Sequence, residues 1–267
     1  MSLSHDRDGL TRFLLERSGV RGVLVRLNDT WDSIRGRADY PADVAGVLGE
    51  TCAASALFTG NAKVKGRLSI QLRGTTGLGT VFAECGHDGR MRGIARHEAH
   101  LPEPLVPRNF GDGAMLAITI ENPLPGTREP VRYQGLVGLD ADNLAGAFEA
   151  YFQQSEQLPT RVILASSEGG AAGLMLQMLP GGEGDPDGWN RSCALFDTLG
   201  ADELLRLPVE TLLWRLFHEE EVRLLGGHGL HFGCTCSRER VADVLRSLGQ
   251  EEAMAAAQAD GVAEVTC

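Results

Sequence analysis

The chain has 267 residues, of which 43% are hydrophobic, and a formal net charge of −11. This length and apolar content allow a sizeable core, in one large domain or two unequal ones. The acidic balance disfavours a nucleic-acid reader because it repels phosphate backbones, although it does not exclude a local basic patch. The polar start and the lack of a long apolar run indicate neither a signal peptide nor a membrane span, so we expect a cytoplasmic protein.

The first 180 residues alternate between strand and helix patterns. An apolar run at 22–27 predicts a strand, and Tyr40-Pro41 opens a helix to about residue 57 that buries Cys52 as a core residue. A period of two then predicts five strands joined by short turns, at 68–72, 80–84, 91–95, 115–120 and 131–139. Connections this short favour an antiparallel or mixed sheet.

A further helix begins after Asp142 or Asn143 and ends before Pro159, and two more strands follow it at 161–165 and 173–179. We therefore expect an α+β fold in which a mixed sheet is covered by helices. The glycine- and proline-rich stretch after it can form neither ladder nor helix. We place the end of the first domain, 1–180, there.

Residues 181–230 are predicted to form a helical linker, with short helices at 189–199, 202–205 and 208–219. The last of these helices has one apolar side, and the segment is too poor in apolar residues to form its own core. It must lie against the first domain or a partner, and its stability is marginal. The acidic run 218–221 reads as a solvated surface, because contiguous carboxylates on a helix end do not face one another.

The C-terminal unit, 231–267, contains the pair Cys234 and Cys236, and Cys267 at the far end of the chain. Thiolates suit a soft cation, so zinc is the first candidate ligand for these three residues. The pair could also close a strained disulfide, and strained disulfides are the labile, regulatory kind. The same site can therefore be a metal clamp or a redox switch; we predict no catalytic residue and no organic cofactor.

A structural zinc site takes four ligands, and only three cysteines are present in this unit. We expect a truncation just before a last cysteine, and His228 or His231 is the alternative fourth ligand. The unit is predicted to form one helical hairpin, at 237–249 and 250–260, with few apolar side chains. Such a small unit needs a stabilising cross-link, so loss of zinc should unfold it.

Several motifs, in this order, resemble the thirty-three-kilodalton heat-shock protein family of redox-regulated bacterial chaperones over the length of the chain. They are Tyr40-Pro41-x-x-Val44, Met91-Arg92-Gly93-Ile94-Ala95-Arg96, Arg132-Tyr133-Gln134-Gly135, Tyr151-Phe152-x-x-Ser155-Glu156-Gln157-Leu158-Pro159-Thr160, Leu213-x-Arg215-Leu216-Phe217-His218-Glu219-Glu220 and Cys234-x-Cys236-Ser237-Arg238-Glu239-Arg240. The last motif is the decisive one.

The resemblance implies an ATP-independent holdase, not an enzyme, that binds unfolded proteins in oxidative stress. In the reduced family members four cysteines hold zinc, and Cys234, Cys236 and Cys267 match three of them. Oxidants drive disulfide formation and zinc release. The zinc unit and linker then lose structure, apolar surface is exposed to clients, and dimers form. We expect newly exposed client contacts at Leu212, Leu213, Trp214, Leu216 and Phe217.

The missing fourth ligand adds the hypothesis that this chain is zinc-poor and partly active when reduced. Two other classes compete with the chaperone. A thiol-disulfide oxidoreductase also uses paired cysteines, although normally in a C-x-x-C motif at a helix start. A zinc-stabilised nucleic-acid module is disfavoured by the net charge. Cys85 and Cys193 have no assigned role.

Overall fold

The computed structural model describes residues 7–62, 64–124, 126, 130–180, 185–234, 238–249 and 254. The chain divides into two compact units, Met1–Phe232 and Gly233–Cys267. Most of the predicted linker, residues 185–230, lies in the first of them. In the second, helix α7 covers Arg238–Leu248 and Gly249 follows it with a positive φ, as the sequence predicts. The helix predicted at 250–260 falls outside the described residues, apart from position 254.

The first unit contains two sheets. The five-stranded sheet has the order β10-β1-β2-β9-β8, with every neighbouring pair antiparallel. Its strands are β1 Gly9–Leu15, β2 Val20–Leu27, β8 Thr160–Ser167, β9 Gly170–Met178 and β10 Val222–Gly229. The six-stranded sheet has the order β11-β5-β4-β3-β6-β7, and only β11 is parallel to its neighbour. Its strands are β3 Arg67–Arg73, β4 Leu78–Gly86, β5 Arg90–His97, β6 Met115–Asn122, β7 Val131–Gly138 and β11 His231–Phe232.

The α+β class is confirmed, but the expectation of a single mixed sheet is wrong. The two sheets arise because β3 to β7 pair locally, whereas β1 and β2 pair with strands more than 130 residues further along the chain. Strand periodicity shows which face of a strand is buried and not which strand it pairs with. The predicted helical character of the linker is also wrong at its end, because residues 222–229 form strand β10. Its glycines suit an edge strand better than a helix interior.

The helices of the first unit lie around these sheets. They are α1 Asp29–Arg35, α2 Ala42–Asn61, α3 Leu144–Ser155, α4 Gly188–Phe196, α5 Ala201–Arg206 and α6 Val209–Phe217. Helix α1 was not predicted, whereas α2 to α6 match predicted helices. Asn143 caps α3 by accepting a 2.8 Å hydrogen bond from the Gly146 amide, which settles the choice between the two candidate caps.

Helix α2 is the centre of the unit and contacts strands of both sheets. Of its 20 residues 14 are buried, so apolar and small side chains surround it instead of forming one stripe. Its buried hydroxyls bond within the helix, as in the 2.7 Å bond from Thr51 Oγ1 to the Val47 carbonyl. Phe58 packs edge-to-face on Phe148 and Phe152 of α3, with ring centroids 5.0 and 4.8 Å apart.

Two glycines of α2 lie in opposite environments. A Cβ on Gly49 would lie 2.1 Å from Ser166 Oγ, whereas a Cβ on Gly46 would have no atom within 4 Å. Because overpacking strains a core, we expect Gly49→Ala to lower the free energy of unfolding by about 1–3 kcal/mol. Gly46→Ala should raise it by up to about 1 kcal/mol through helix propensity. Urea denaturation of both variants tests this packing, and equal effects would contradict it.

Candidate functional site

The predicted metal and redox residues lie at the edge of what the structure describes. Cys234 is exposed and disulfide-bonded, and Cys236 and Cys267 lie outside the described residues. Within the described part of the chain, no group of three or more His, Cys, Asp or Glu side chains is arranged to hold a metal ion. The zinc ligand set and the redox disulfide therefore stay predictions.

The three other cysteines are free thiols in protected places. Cys52 and Cys85 are fully buried in the core, as expected for Cys52, and Cys193 is half-buried on α4. Burial raises the pKa of all three thiols, to about 12 for Cys85 and about 11 for Cys193, and further for Cys52. Because the thiolate is the reactive form, these residues are poor redox sensors at neutral pH.

The two alternative histidine ligands are both held in strands of the first unit. His228 pairs with Leu10 in the ladder between β10 and β1. His231 is exposed in β11, and its backbone amide donates a 3.0 Å hydrogen bond to the Gly89 carbonyl. A strand fixes the direction of each side chain, so neither histidine can turn freely toward a ligand.

Both faces of the five-stranded sheet are buried. Alternate residues of β2 point to opposite sides, so that Val23 and Val25 face the core with α2 while Leu24 faces the other way. Helices α4, α5 and α6 lie over this second face, and we call these three helices the helical cover. The sheet side chains beneath it include Phe13, Leu15, Leu24, Leu174 and Leu176.

The helical cover turns its apolar side chains onto this face. Leu212, Leu213, Leu216 and Phe217 of α6 are each no more than 3% exposed. The ring of Phe217 stacks on that of Phe13, with centroids 6.1 Å apart. The expectation that this segment lies against the first domain or a partner is thus resolved in favour of the first domain.

Trp214 differs from its neighbours on α6. It is 68% exposed and its ring lies 5.2 Å from that of His218. The expectation that Trp214 becomes newly exposed is therefore wrong, because it points away from the sheet already. The other four predicted client contacts are buried, as that hypothesis requires.

A buried ion pair joins the start of the helical cover to its end. Glu220 is fully buried and accepts two hydrogen bonds from Arg191 of α4, one of them 3.1 Å from Nη2 to Oε2. Arg191 Nη1 also donates to Asp185 Oδ2 at 2.8 Å. The hydrogen bonds from Arg191 lower the pKa of Glu220, and those to Glu220 raise the pKa of Arg191. The reading of 218–221 as a solvated surface is thus wrong for Glu220.

The same ion pair is anchored to the turn between β1 and β2. Ser192 Oγ donates to Ser18 Oγ at 3.1 Å, and the amide of Arg17 donates to the Glu220 carbonyl at 3.4 Å. Glu220 lies in a 3-10 turn that is followed by Glu221 with a φ of 56°. This backbone turn directs the Glu220 side chain into the protein interior. The sequence gives no signal of it, because Arg191 is 29 residues away.

None of the helices in the described ranges is long and apolar enough to span a membrane. The geometry defines an α+β protein of two sheets, in which three short helices shield one apolar sheet face and an exposed, disulfide-bonded cysteine follows the last strand. Comparison with known proteins then gives the family. The family model described as Hsp33 protein matches residues 8–267, so the chain belongs to the Hsp33 family.

Relatives over the full length agree. The chain is 39% identical to the 33 kDa chaperonin of Chromobacterium violaceum over 267 residues, covering 100% of this chain and 90% of that protein. It is 41% identical to the 33 kDa chaperonin of Hahella chejuensis over 263 residues, 97% of this chain and 90% of the relative. The crystal structure of the 33 kDa chaperonin from Thermotoga maritima shares the fold at 20% identity, with a TM-score of 0.77 over 92% of this chain and 87% of that one.

The ion pair predicts how firmly the helical cover is held. Glu220 is the buried partner, whereas Arg191 is 28% exposed and would keep its bond to Asp185. Replacing the Glu220 carboxylate by a neutral amide removes the charge-assisted hydrogen bonds that join α4 to the turn after α6. We expect Glu220→Gln to increase amide hydrogen exchange in α4 and α6 at least about tenfold, with little change in α2. Hydrogen exchange with mass spectrometry measures both regions. Glu219→Gln is the matched control, because that side chain is 75% exposed.

The same pair gives a pH dependence. The pKa of Glu220 is lowered in the folded chain, so the ionised carboxylate contributes fully to the free energy of unfolding at pH values above the ordinary glutamate pKa. This contribution is lost as the pH falls through the lowered pKa. Exchange in the helical cover should therefore accelerate in acid, relative to the core, in the native protein but not in Glu220→Gln. A parallel pH response of the two proteins would contradict this role.

Proposed function

We propose that this chain is a chaperone that holds unfolded proteins without ATP and is activated by oxidation of its C-terminal cysteines. The observation that carries the proposal is the apolar sheet face under a cover of three short helices. Membership of the Hsp33 family and the naming of its relatives as 33 kDa chaperonins support the chaperone activity. We place the protein in the cytoplasm and assign it no enzyme activity and no nucleic acid.

The client surface is the part of the first unit that the helical cover hides. If the cover leaves, the side chains of Phe13, Leu24, Leu174 and Leu176 form one continuous apolar patch. The apolar side of α6 is released at the same time. Large exposed apolar patches mark interaction sites, and apolar contact without directional bonds suits clients of many sequences. Homodimers of the active form would enlarge this surface.

The switch is assigned to Cys234, Cys236 and Cys267. In the structure Cys234 is disulfide-bonded. In the reduced state the three residues would be thiols, a fitting donor set for zinc, which when bound would cross-link a unit that has little core of its own. Two of these thiols lose two electrons and two protons when they join as a disulfide, and hydrogen peroxide takes these up to become two molecules of water. A sulfur in a disulfide is no longer a thiolate ligand, so oxidation removes the cross-link.

The sequence connects the switch to the helical cover by a short path. Cys234 follows β11, which pairs with β5 over only two residues. Before it comes β10, an edge strand that pairs with β1, and before that comes Glu220 of the buried ion pair. Each of these contacts is at a sheet edge or a chain turn. We infer that loss of structure around Cys234 spreads along this path and loosens the cover.

The decisive experiment is light scattering of a heat-labile enzyme that unfolds in the presence of this protein, reduced or oxidised with peroxide, with released zinc followed in parallel. We expect aggregation to be suppressed only after oxidation, together with zinc release. Suppression in neither state would contradict the proposal. In that case turnover in an insulin-reduction assay would support the thiol-disulfide oxidoreductase instead.

The client surface has its own test in the oxidised protein. Because Leu213 and Leu216 lie on the apolar side of α6, replacing both with serine should weaken client binding several-fold. Glu210→Ser on the exposed side of the same helix is the matched control and should bind as the parent does. Binding is measured as the chaperone-to-client ratio needed for half-suppression of scattering. Equal ratios for all three proteins would remove α6 from the client surface.

A further inference from the structure

A groove runs along the solvent-facing side of α2. Ala42, Gly46 and Glu50 are spaced by four residues, so they share one side of the helix, and none of them is buried. Three clefts follow this side in succession, with volumes of about 230, 480 and 420 Å³. The first two share Gly46 and the last two share Glu50. The stripe from 42 to 50 is about 12 Å long, the length of about four residues of extended chain.

The groove has an open floor and walls of mixed character, mainly apolar in the first cleft and both polar and apolar in the two clefts that meet at Glu50. Its middle cleft is lined by Pro104, Leu105, Val106 and Leu144. At Gly46 a Cβ would meet no atom within 4 Å, so the floor there is free. Its first cleft is bordered by the ion pair of Arg35 and Glu168, 3.1 Å apart. Clefts with apolar walls and a few polar groups are typical of ligand sites.

Glu50 is the polar group at the junction of the second and third clefts. Within the described residues its carboxylate has no hydrogen-bond donor and no cationic partner. Arg161 is the nearby cation of the third cleft, and it is already paired with Asp197 and lies 3.4 Å from Glu149. Desolvation raises the pKa of Glu50 to about 7. A desolvated carboxylate without a partner costs stability, and such groups cluster at functional sites.

We propose that this groove binds an extended peptide segment that places a lysine or arginine side chain at Glu50 and apolar side chains against the neighbouring walls. The charge of the vacant partner position, the length of the groove and the apolar residues of its middle cleft fit such a segment. The inference rests on the proposed function, because it names a class of client sequence that the protein would prefer. The site borders the helical cover at its third cleft, through Phe196 and Leu199, and its first two clefts lie outside the cover.

The test is fluorescence anisotropy of a fluorescein-labelled octapeptide of valines and leucines with one central arginine, compared with the same peptide carrying citrulline there. Citrulline keeps the shape and removes the charge. We expect the native protein to prefer the arginine peptide about tenfold, which is typical of a charge-assisted contact. Glu50→Gln should abolish that preference. Equal binding of the two peptides by the native protein would overturn the proposal.

Two further variants separate the groove from the charge. Gly46→Leu fills the floor without changing any charge and should weaken both peptides, while its thermal stability is kept because the position is open. Glu98→Gln alters an exposed carboxylate outside the groove and should change nothing. Unchanged binding by Gly46→Leu would overturn the assignment. Competition by spermidine as strong as that of the peptide would also overturn it, since the site would then be one for small amines.

The pH dependence of peptide selectivity is a further test, because a purely structural role of Glu50 would not produce one. The other charged groups at the groove are Arg35, Asp43, Glu149, Arg161, Glu168 and Asp197. Since Glu50 is charged only above about pH 7, arginine selectivity should be high at pH 8 and low at pH 6 in the native protein. It should be absent at both pH values in Glu50→Gln. Selectivity that is independent of pH would contradict the role of Glu50.

The same variants keep this inference apart from the chaperone activity. If oxidised Gly46→Leu and Glu50→Gln still suppress light scattering while the peptide preference fails in the native protein, the groove is wrong and the proposed function stands. If the native protein suppresses scattering in neither redox state, the proposed function fails whatever the peptide measurements show.

Discussion

The five-stranded sheet has two apolar faces, and each must be kept from water. The inner face is covered by α2, a 20-residue helix buried on nearly all sides and held between two sheets. The outer face is covered by helices of nine, six and nine residues. Helices this short are not stable alone in water and depend on the surface they pack on. We call the face under α2 the permanent face. We call the other the conditional face, because it is covered only while the short helices stay packed on it.

The conditional face is closed by apolar packing and by one buried charge pair. The apolar side of α6 packs on the sheet, while Arg191 and Glu220 tie the first helix of the cover to the turn after the last. A buried pair contributes little net free energy when it is intact but costs much when one partner is removed. It acts as a geometric restraint, because its hydrogen bonds fix the first helix of the cover relative to the turn after the last one.

Periodicity in the sequence predicts most elements, because burial on one side imposes it directly. The α2 to α6 helices and the strands β2 to β9 follow from it, whereas β1, β10 and β11 do not. The elements and contacts that periodicity does not predict depend on residues that are distant in the chain. Strand β10 has glycines and little alternation and is a strand because β1 offers it an edge. Glu220 looks like its neighbours Glu219 and Glu221, and only the backbone turn and Arg191 distinguish it. The pairing of β1 with β10, and of β2 with β9, likewise leaves no local trace.

The thiols show how the fold confines redox chemistry to one place. Three cysteines lie in the first unit, and burial raises the pKa of each, so that none supplies much thiolate at neutral pH. Cys234 is exposed and already disulfide-bonded, and it follows directly on the last two strands of the sheets. The thiols of Cys52 and Cys85 are therefore shielded from an oxidant by burial and are kept in their unreactive protonated form. The permanent face over α2, where Cys52 lies, contains no reactive thiol, so it should persist under the oxidation that we propose as the trigger for loosening the cover.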